Sequence, residues 1–183
     1  MLDQTMLVVP GLHGSGEGHW QHWWTLDHPQ ARFVQQVDWS NPDEERWLDN
    51  LERALAAHPG SLLIAHSLGS ILTAKLARRP SARLVGGALL VAPADITRTS
   101  TLHKRTYEFG AMPHDRLPFP SIVVASSNDV YMPYEKVKDL AADWGSRVHD
   151  LGNAGHVNIQ SGFGRWRDGY ALAAKLVTEA VHG

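Results

Sequence analysis

One serine in the chain stands where a serine can act as a nucleophile. Leu62-Leu63-Ile64-Ala65-His66-Ser67-Leu68-Gly69-Ser70 runs from an apolar, strand-like stretch through His-Ser-Leu-Gly into a helix-like one. A serine at the apex of so sharp a turn sits in strained backbone. The residues two before and two after it crowd neighbouring chain and must be small. Ala65 and Gly69 meet that need. The helix after Ser67 aims its first N–H groups at any anion forming on a substrate. A serine hydroxyl is a weak nucleophile at neutral pH; it needs a base, commonly one held by a carboxylate. Two downstream segments supply them. Ile122–Ala125 runs through Ser126-Ser127-Asn128 into Asp129, and Asp150-Leu151-Gly152-Asn153-Ala154-Gly155 leads to His156. Both follow the carboxyl ends of apolar runs, where ligands gather in open α/β sheets. The order serine, acid, histidine is the one expected around a strand-to-helix nucleophile. The chemistry of such a trio is acyl transfer through a covalent ester on Ser67. Asp95 is a rival for the acid, but it lies two residues past Pro93 at the mouth of a long irregular connection.

A second glycine-rich turn, Pro10-Gly11-Leu12-His13-Gly14-Ser15-Gly16, ends the first apolar run. In enzymes built on such a turn, this loop and the residue after the nucleophile each contribute an N–H to an oxyanion. The backbones of Leu12 and Leu68 are the expected donors. A phosphate-cradling loop is the other use of such glycines, but the terminal Gly-Lys-Ser/Thr is missing. His13, His19, His22 and His28 crowd one region, yet no acid or cysteine completes a metal set, so no metal is expected. His66 is expected to make a structural hydrogen bond. Trp20, Trp23, Trp24, Trp39 and Trp47 are expected mostly in the core, with one or two free to line an apolar acyl pocket. Phe163 and Trp166 are expected to anchor the last helix.

The positioning elements follow from apolar periodicity. Strands are expected at Thr5–Val9, Ala31–Val37, Ser61–Ala65, Leu84–Val91, Ser121–Ala125 and Val148–Leu151. They read as nearly continuous apolar runs, which implies burial on both faces in a parallel sheet covered by helices. Helices are expected at Trp20–Asp27, from Asn41-Pro42-Asp43-Glu44 to Pro59-Gly60, and at Leu68–Arg79, Tyr134–Trp144 and Trp166–Val181. In the second of these, Trp47, Leu48, Leu51 and Leu55 share one face. Ala92–Pro120 is too long for an ordinary βα loop and reads either as a flap beside the site or as a loose loop with a short helix. The pattern as a whole implies a three-layer α/β/α sandwich on a mostly parallel six-stranded sheet.

Composition narrows the classes. The 183 residues carry 17 Lys+Arg against 19 Asp+Glu, a net charge of -2, with 43% hydrophobic residues and no cysteine. That length suits a single domain over 1–183 with a core that needs no staples. There is no basic stripe for a nucleic acid, no thiolate chemistry and no apolar run of membrane-spanning length. With no basic segment before the short apolar run Met6–Pro10, no secretory leader is expected, and a cytoplasmic location is.

The chain resembles the α/β-hydrolase superfamily. More closely, it resembles the YdeN-like serine hydrolases that include retinoblastoma-binding protein nine. The matching stretches are Val9-Pro10-Gly11 with His19-Trp20 and Trp23-Trp24, then Ala65-His66-Ser67-Leu68-Gly69. Asp129 with Tyr131 and Pro133 follows, then Gly155-His156-Val157-Asn158, Ser161-Gly162-Phe163-Gly164 and Trp166. The family's usual pattern has Gly where Ala65 stands; Ala still meets the steric need. The resemblance implies strand order 2-1-3-4-5-6, no large cap, and Ser67, Asp129 and His156 as triad. It also implies activity on small esters with no cofactor. An amidase or aminopeptidase with the same triad, and a protein-interaction module on the same scaffold, stay open as alternatives.

Overall fold

The computed structural model describes residues 4–180. Six strands, β1 (Met6–Val9), β2 (Ala31–Phe33), β3 (Ser61–His66), β4 (Val85–Val91), β5 (Ser121–Ala125) and β6 (Arg147–Asp150), form one sheet. Every pairing is parallel and the order is β2-β1-β3-β4-β5-β6. Six helices cover it: α1 (Trp20–Asp27), α2 (Glu44–Ala57), α3 (Leu68–Lys75), α4 (Ile96–His103), α5 (Tyr134–Trp144) and α6 (Arg167–Ala180).

The strand sequences explain the layers. Successive strand residues point to opposite faces. Leu7, Val9, Leu63, Ala65, Leu90 and Val123 pack under α2, α3 and α5, against Leu48, Leu51, Ile71 and Leu140. Met6, Val8, Leu62, Ile64, Leu89 and Val124 pack on the other face, against Trp20 and Trp24 of α1 and Leu172 and Leu176 of α6. Helix α2 begins as its sequence demands: Asp43 Oδ1 accepts the Arg46 N–H at 2.9 Å, and Glu44 and Glu45 occupy the first turn. All four of its periodic apolar residues are buried.

The edges differ from expectation. Strand β2 stops at Phe33, although the Val34 N–H still reaches the Val8 carbonyl at 2.9 Å. Beyond it the chain turns toward α2. Gln36 donates to the Trp47 carbonyl at 3.3 Å and accepts from Asn50 at 2.7 Å, while Val37 is 95% exposed. Strand β6 is largely solvent-facing, so burial on both faces holds for β1, β3, β4 and β5 and not for the edges. Helix α3 ends at Lys75, four residues short of Arg79; 3-10 turns lead from it to Pro80, whose ring disfavours helix in the residue before it. Helix α6 runs to Ala180, and Val181 lies outside the described residues.

Ala92–Pro120 divides into two parts. Helix α4 lies beside the carboxyl end of the sheet. The rest is tied down on the α2–α3–α5 face: Lys75 donates to the Ala111 carbonyl at 2.7 Å and Trp144 to the Pro113 carbonyl at 2.9 Å. Phe109, Leu117 and Phe119 are buried there and anchor this stretch to the core, although most of its other residues are exposed. No helix among the described residues is long and apolar enough to cross a membrane.

Candidate active site

The loops after β1, β3, β5 and β6 meet at the carboxyl end of the sheet. Ser67 stands between β3 and α3 at φ 56°, ψ -124°, a conformation costing a non-glycine residue about 1–3 kcal/mol. Its N–H is held by the Val91 carbonyl at 2.9 Å. Two glycines make the turn possible. A Cβ on Gly69 would fall 2.2 Å from the Val9 carbonyl oxygen, and one on Gly11 would fall 2.9 Å from Ser67 Cβ and 3.0 Å from the Leu68 nitrogen. The β1 loop therefore lies directly against the start of α3, and Leu12 and Leu68 both line the cavity beside Ser67. Buried Gln21 supports the junction, donating to the Ile64 carbonyl at 2.8 Å while Ser15 donates to its Oε1 at 2.6 Å.

Ser67 Oγ lies 2.8 Å from His156 Nε2, and His156 Nδ1 lies 2.8 Å from Asp129 Oδ2. A carboxylate only accepts, so Nδ1 carries the imidazole proton and Nε2 faces the serine hydroxyl as acceptor. Asp129 Oδ1 takes the Tyr131 N–H at 2.8 Å, so both carboxylate oxygens are occupied and the group is almost fully buried. The His156 loop is fixed from several sides. Its N–H donates to Ser161 Oγ at 3.1 Å, the Gly155 N–H donates to Asn128 Oδ1 at 2.7 Å, and Trp20 Nε1 donates to the Val157 carbonyl at 2.9 Å.

His66 makes the structural bond expected of it. Its Nε2–H donates to the His156 carbonyl at 2.9 Å, tying the nucleophile strand to the histidine loop. Burial, reinforced by the nearby His156 and His19, pushes its pKa well below the ordinary histidine value. His19 caps α1, accepting the Gln21 N–H at 3.1 Å; burial first, then His156, lowers its pKa to about 4. Two neutral imidazoles thus flank the serine–histidine pair. Of the remaining histidines of that cluster, His13 also lines the cavity beside Ser67 and His28 does not. His13 meets Ser40 Oγ at 3.2 Å, and the His28 N–H ends α1 on the Trp24 carbonyl. Among the described residues no group of three His, Asp or Glu is placed to hold a metal ion.

Asp95 has other duties. It caps α4 through the Arg98 N–H at 2.7 Å and pairs with Lys136. Burial raises its pKa, but the Lys136 contact and the backbone N–H outweigh that, and its pKa is lowered. The structure brings Asp129, not Asp95, to His156.

The cavity over Ser67 has a volume of about 370 Å³. Its walls include His19, Thr99, His103, Tyr131, Asn158 and Ile159. No tryptophan is among them: Trp20 and Trp24 are core, and Trp23 lies under the Arg165 guanidinium at 5.2 Å. Trp47 is core as well, as expected for most of the five, and the place of one or two beside the cavity is not taken up by any of them. Phe163 and Trp166 do anchor the start of α6, Trp166 meeting Trp20 edge-on at 5.5 Å. Tyr131 has a part that residue spacing did not reveal. Its ring rests on His156 at 4.2 Å between centroids, and its hydroxyl meets His103 Nε2 at 3.0 Å, joining α4 to the site.

Comparison with known proteins agrees with this fold. The serine hydrolase family model matches residues 6–175. YdeN of Bacillus subtilis (strain 168) is 24% identical over 171 residues, covering 88% of this chain and 90% of that one. The structure of the B. subtilis ydeN product has a TM-score of 0.79 at 23% identity, covering 96% and 99% of the two chains. A YdeN-like protein from Pectobacterium atrosepticum is 31% identical with a TM-score of 0.84, covering 97% of this chain and 92% of its own. Est1E from Butyrivibrio proteoclasticus, at 10% identity and a TM-score of 0.66 over 98% and 89% of the chains, shares the fold alone. The chain belongs to the serine hydrolase family, in its YdeN-like branch of the α/β hydrolases.

Proposed function

We propose that the protein hydrolyses small carboxylic esters through an acyl-enzyme on Ser67, with His156 as general base and acid and Asp129 as its orienting carboxylate. The observation that carries this reading is the unbroken Ser67–His156–Asp129 chain at 2.8 Å and 2.8 Å, with the serine at a strained apex facing a cavity. His156 Nε2 takes the Ser67 proton as Oγ attacks the ester carbonyl. The Leu12 and Leu68 N–H groups receive the oxyanion, and the start of α3 favours the charge. His156 then gives its proton to the leaving alcohol, and Asp129 stabilises the imidazolium between the two steps. Water attacks the acyl-enzyme by the same route in reverse and frees the acid. Tyr131, resting on the imidazole and bound to Asp129 through its own N–H, keeps the ring in register.

The cavity's size, about 370 Å³, favours short acyl groups over long chains. The test is a fluorophosphonate adduct mapped to Ser67, with a p-nitrophenyl ester series from acetyl to palmitoyl run beside matching anilides. Labelled Ser67 with rates falling along the series is expected. Unlabelled protein overturns the catalytic reading, and faster anilide than ester turnover moves it to an amidase.

A further inference from the structure

We infer that the cavity wall formed by His19 and Asn158 recognises an acceptor oxygen on the substrate, additional to the oxygens of the scissile ester. The inference rests on the ester hydrolysis proposed above and narrows its substrate class. His19 Nδ1 accepts the Gln21 N–H at 3.1 Å. A ring nitrogen that accepts carries no hydrogen, so the proton of the neutral ring is on Nε2. The lowered pKa, about 4, keeps that ring neutral around pH 7. Asn158 is fixed by the same logic. Its Oδ1 accepts from the Ser161 N–H at 3.0 Å and from Ser161 Oγ at 2.9 Å. A backbone N–H can only donate, so the amide oxygen is the pinned atom and the NH2 is the free end.

Both side chains line the cavity that holds Ser67 and His156. Among the described residues, no group accepts from His19 Nε2 or from Asn158 Nδ2. The two segments face one another. Trp20 Nε1 donates to the Val157 carbonyl at 2.9 Å, and a Cβ on Gly18 would lie 3.8 Å from Ile159 Cδ1. Two residues of the cavity lining therefore each carry an N–H of fixed sense that has no acceptor among the described residues. A purely alkyl group that displaces water from them leaves both unpaired, which is how a polar site rejects an apolar analogue. An ether, hydroxyl or carbonyl oxygen on the acyl or the alcohol part satisfies them.

Isosteric esters test this. p-Nitrophenyl methoxyacetate against p-nitrophenyl butyrate places an oxygen on the acyl side; 2-methoxyethyl acetate against butyl acetate places it on the alcohol side. The ratio of kcat/KM within each pair is measured for the native protein, His19→Ser and Asn158→Asp. Intrinsic ester reactivity cancels when ratios are compared between proteins. His19→Ser keeps an oxygen to cap α1, and Asn158→Asp keeps the oxygen that holds Ser161. Each variant is expected to lower the preference for the ether by about 2–10-fold in one pair, and that pair identifies the side recognised. Should His19→Ser fail to fold, His19→Asp keeps a cap oxygen without an N–H donor and is read the same way. Ratios unchanged within about twofold in both pairs, in variants that still hydrolyse esters, overturn the inference while leaving the catalytic reading intact. Absence of both a Ser67 adduct and ester hydrolysis in the native protein overturns the two together.

Discussion

At the scale of single residues, the choice between two aspartates carries the most information. Asp129 and Asp95 both follow strand ends, and residue type alone does not separate them. What separates them is the occupation of their oxygens. Asp129 offers one to His156 and one to the Tyr131 N–H; Asp95 spends both on the α4 cap and Lys136. Asp129→Asn is expected to leave the fold intact and lower kcat by about 10²–10⁴-fold, because the amide presents the wrong partner to Nδ1. Asp95→Asn keeps a capping oxygen and should lose less than about 10-fold. Steady-state ester kinetics on the two variants rank them, and the opposite ranking would reassign the acid. Ser67→Ala should cost about 10³-fold or more. The three candidate site residues were legible in sequence because each lies in a turn after a strand-like stretch, in the order serine, acid, histidine. Tyr131 and Asn158 were not assigned roles, since what they do depends on a ring contact and a pinned amide that spacing does not encode.

Secondary-structure elements were legible in proportion to their burial. The interior strands and α2 followed from apolar periodicity because both their faces, or one continuous face, meet the core. Strand β2 and helix α3 fell short of their expected ends for local reasons: Gln36 is drawn into hydrogen bonds with Trp47 and Asn50 of α2, and Pro80 limits helix before it. The 92–120 connection was ambiguous since its packing residues, Phe109, Leu117 and Phe119, are spaced without a period. The β3–α3 turn makes a sharp demand at this scale. Gly69→Ala drives a Cβ into the Val9 and Pro10 carbonyls and should destabilise by about 1–3 kcal/mol or more, with loss of activity as the turn shifts. Gly16→Ala, where a Cβ meets nothing within 4 Å, should change stability by less than about 0.5–1 kcal/mol. Urea unfolding of the pair reads the difference; equal stabilities would mean that the turn relaxes without strain.

For the molecule as a whole, the neutral histidines next to the site link catalysis to acid stability. The folded His19 has a pKa of about 4 against an ordinary 6.5, and His66 is shifted the same way. Between those values the unfolded chain binds more protons than the folded one, so stability rises with pH. The His19 contribution is complete above 6.5 and is lost as pH falls toward 4, a decline of up to about 3 kcal/mol. His66 steepens it. His19→Asn removes one titrating group while keeping a cap oxygen, so its unfolding free energy should fall less between pH 7 and pH 4.5. Identical pH slopes in the two proteins would show that His19 titrates alike when folded and unfolded.

Strand β6 carries a consequence of another kind. It closes the sheet on one side with Arg147-Val148-His149-Asp150, and three of its four residues are exposed. The edge of a sheet is a template on which a second chain can add a strand, and charge along it is the usual deterrent. Replacing Arg147 and His149 together with valine would convert a soluble margin into an adhesive one. Light scattering of concentrated samples should then show self-association in a protein whose hydrolysis of dilute substrate is unaltered.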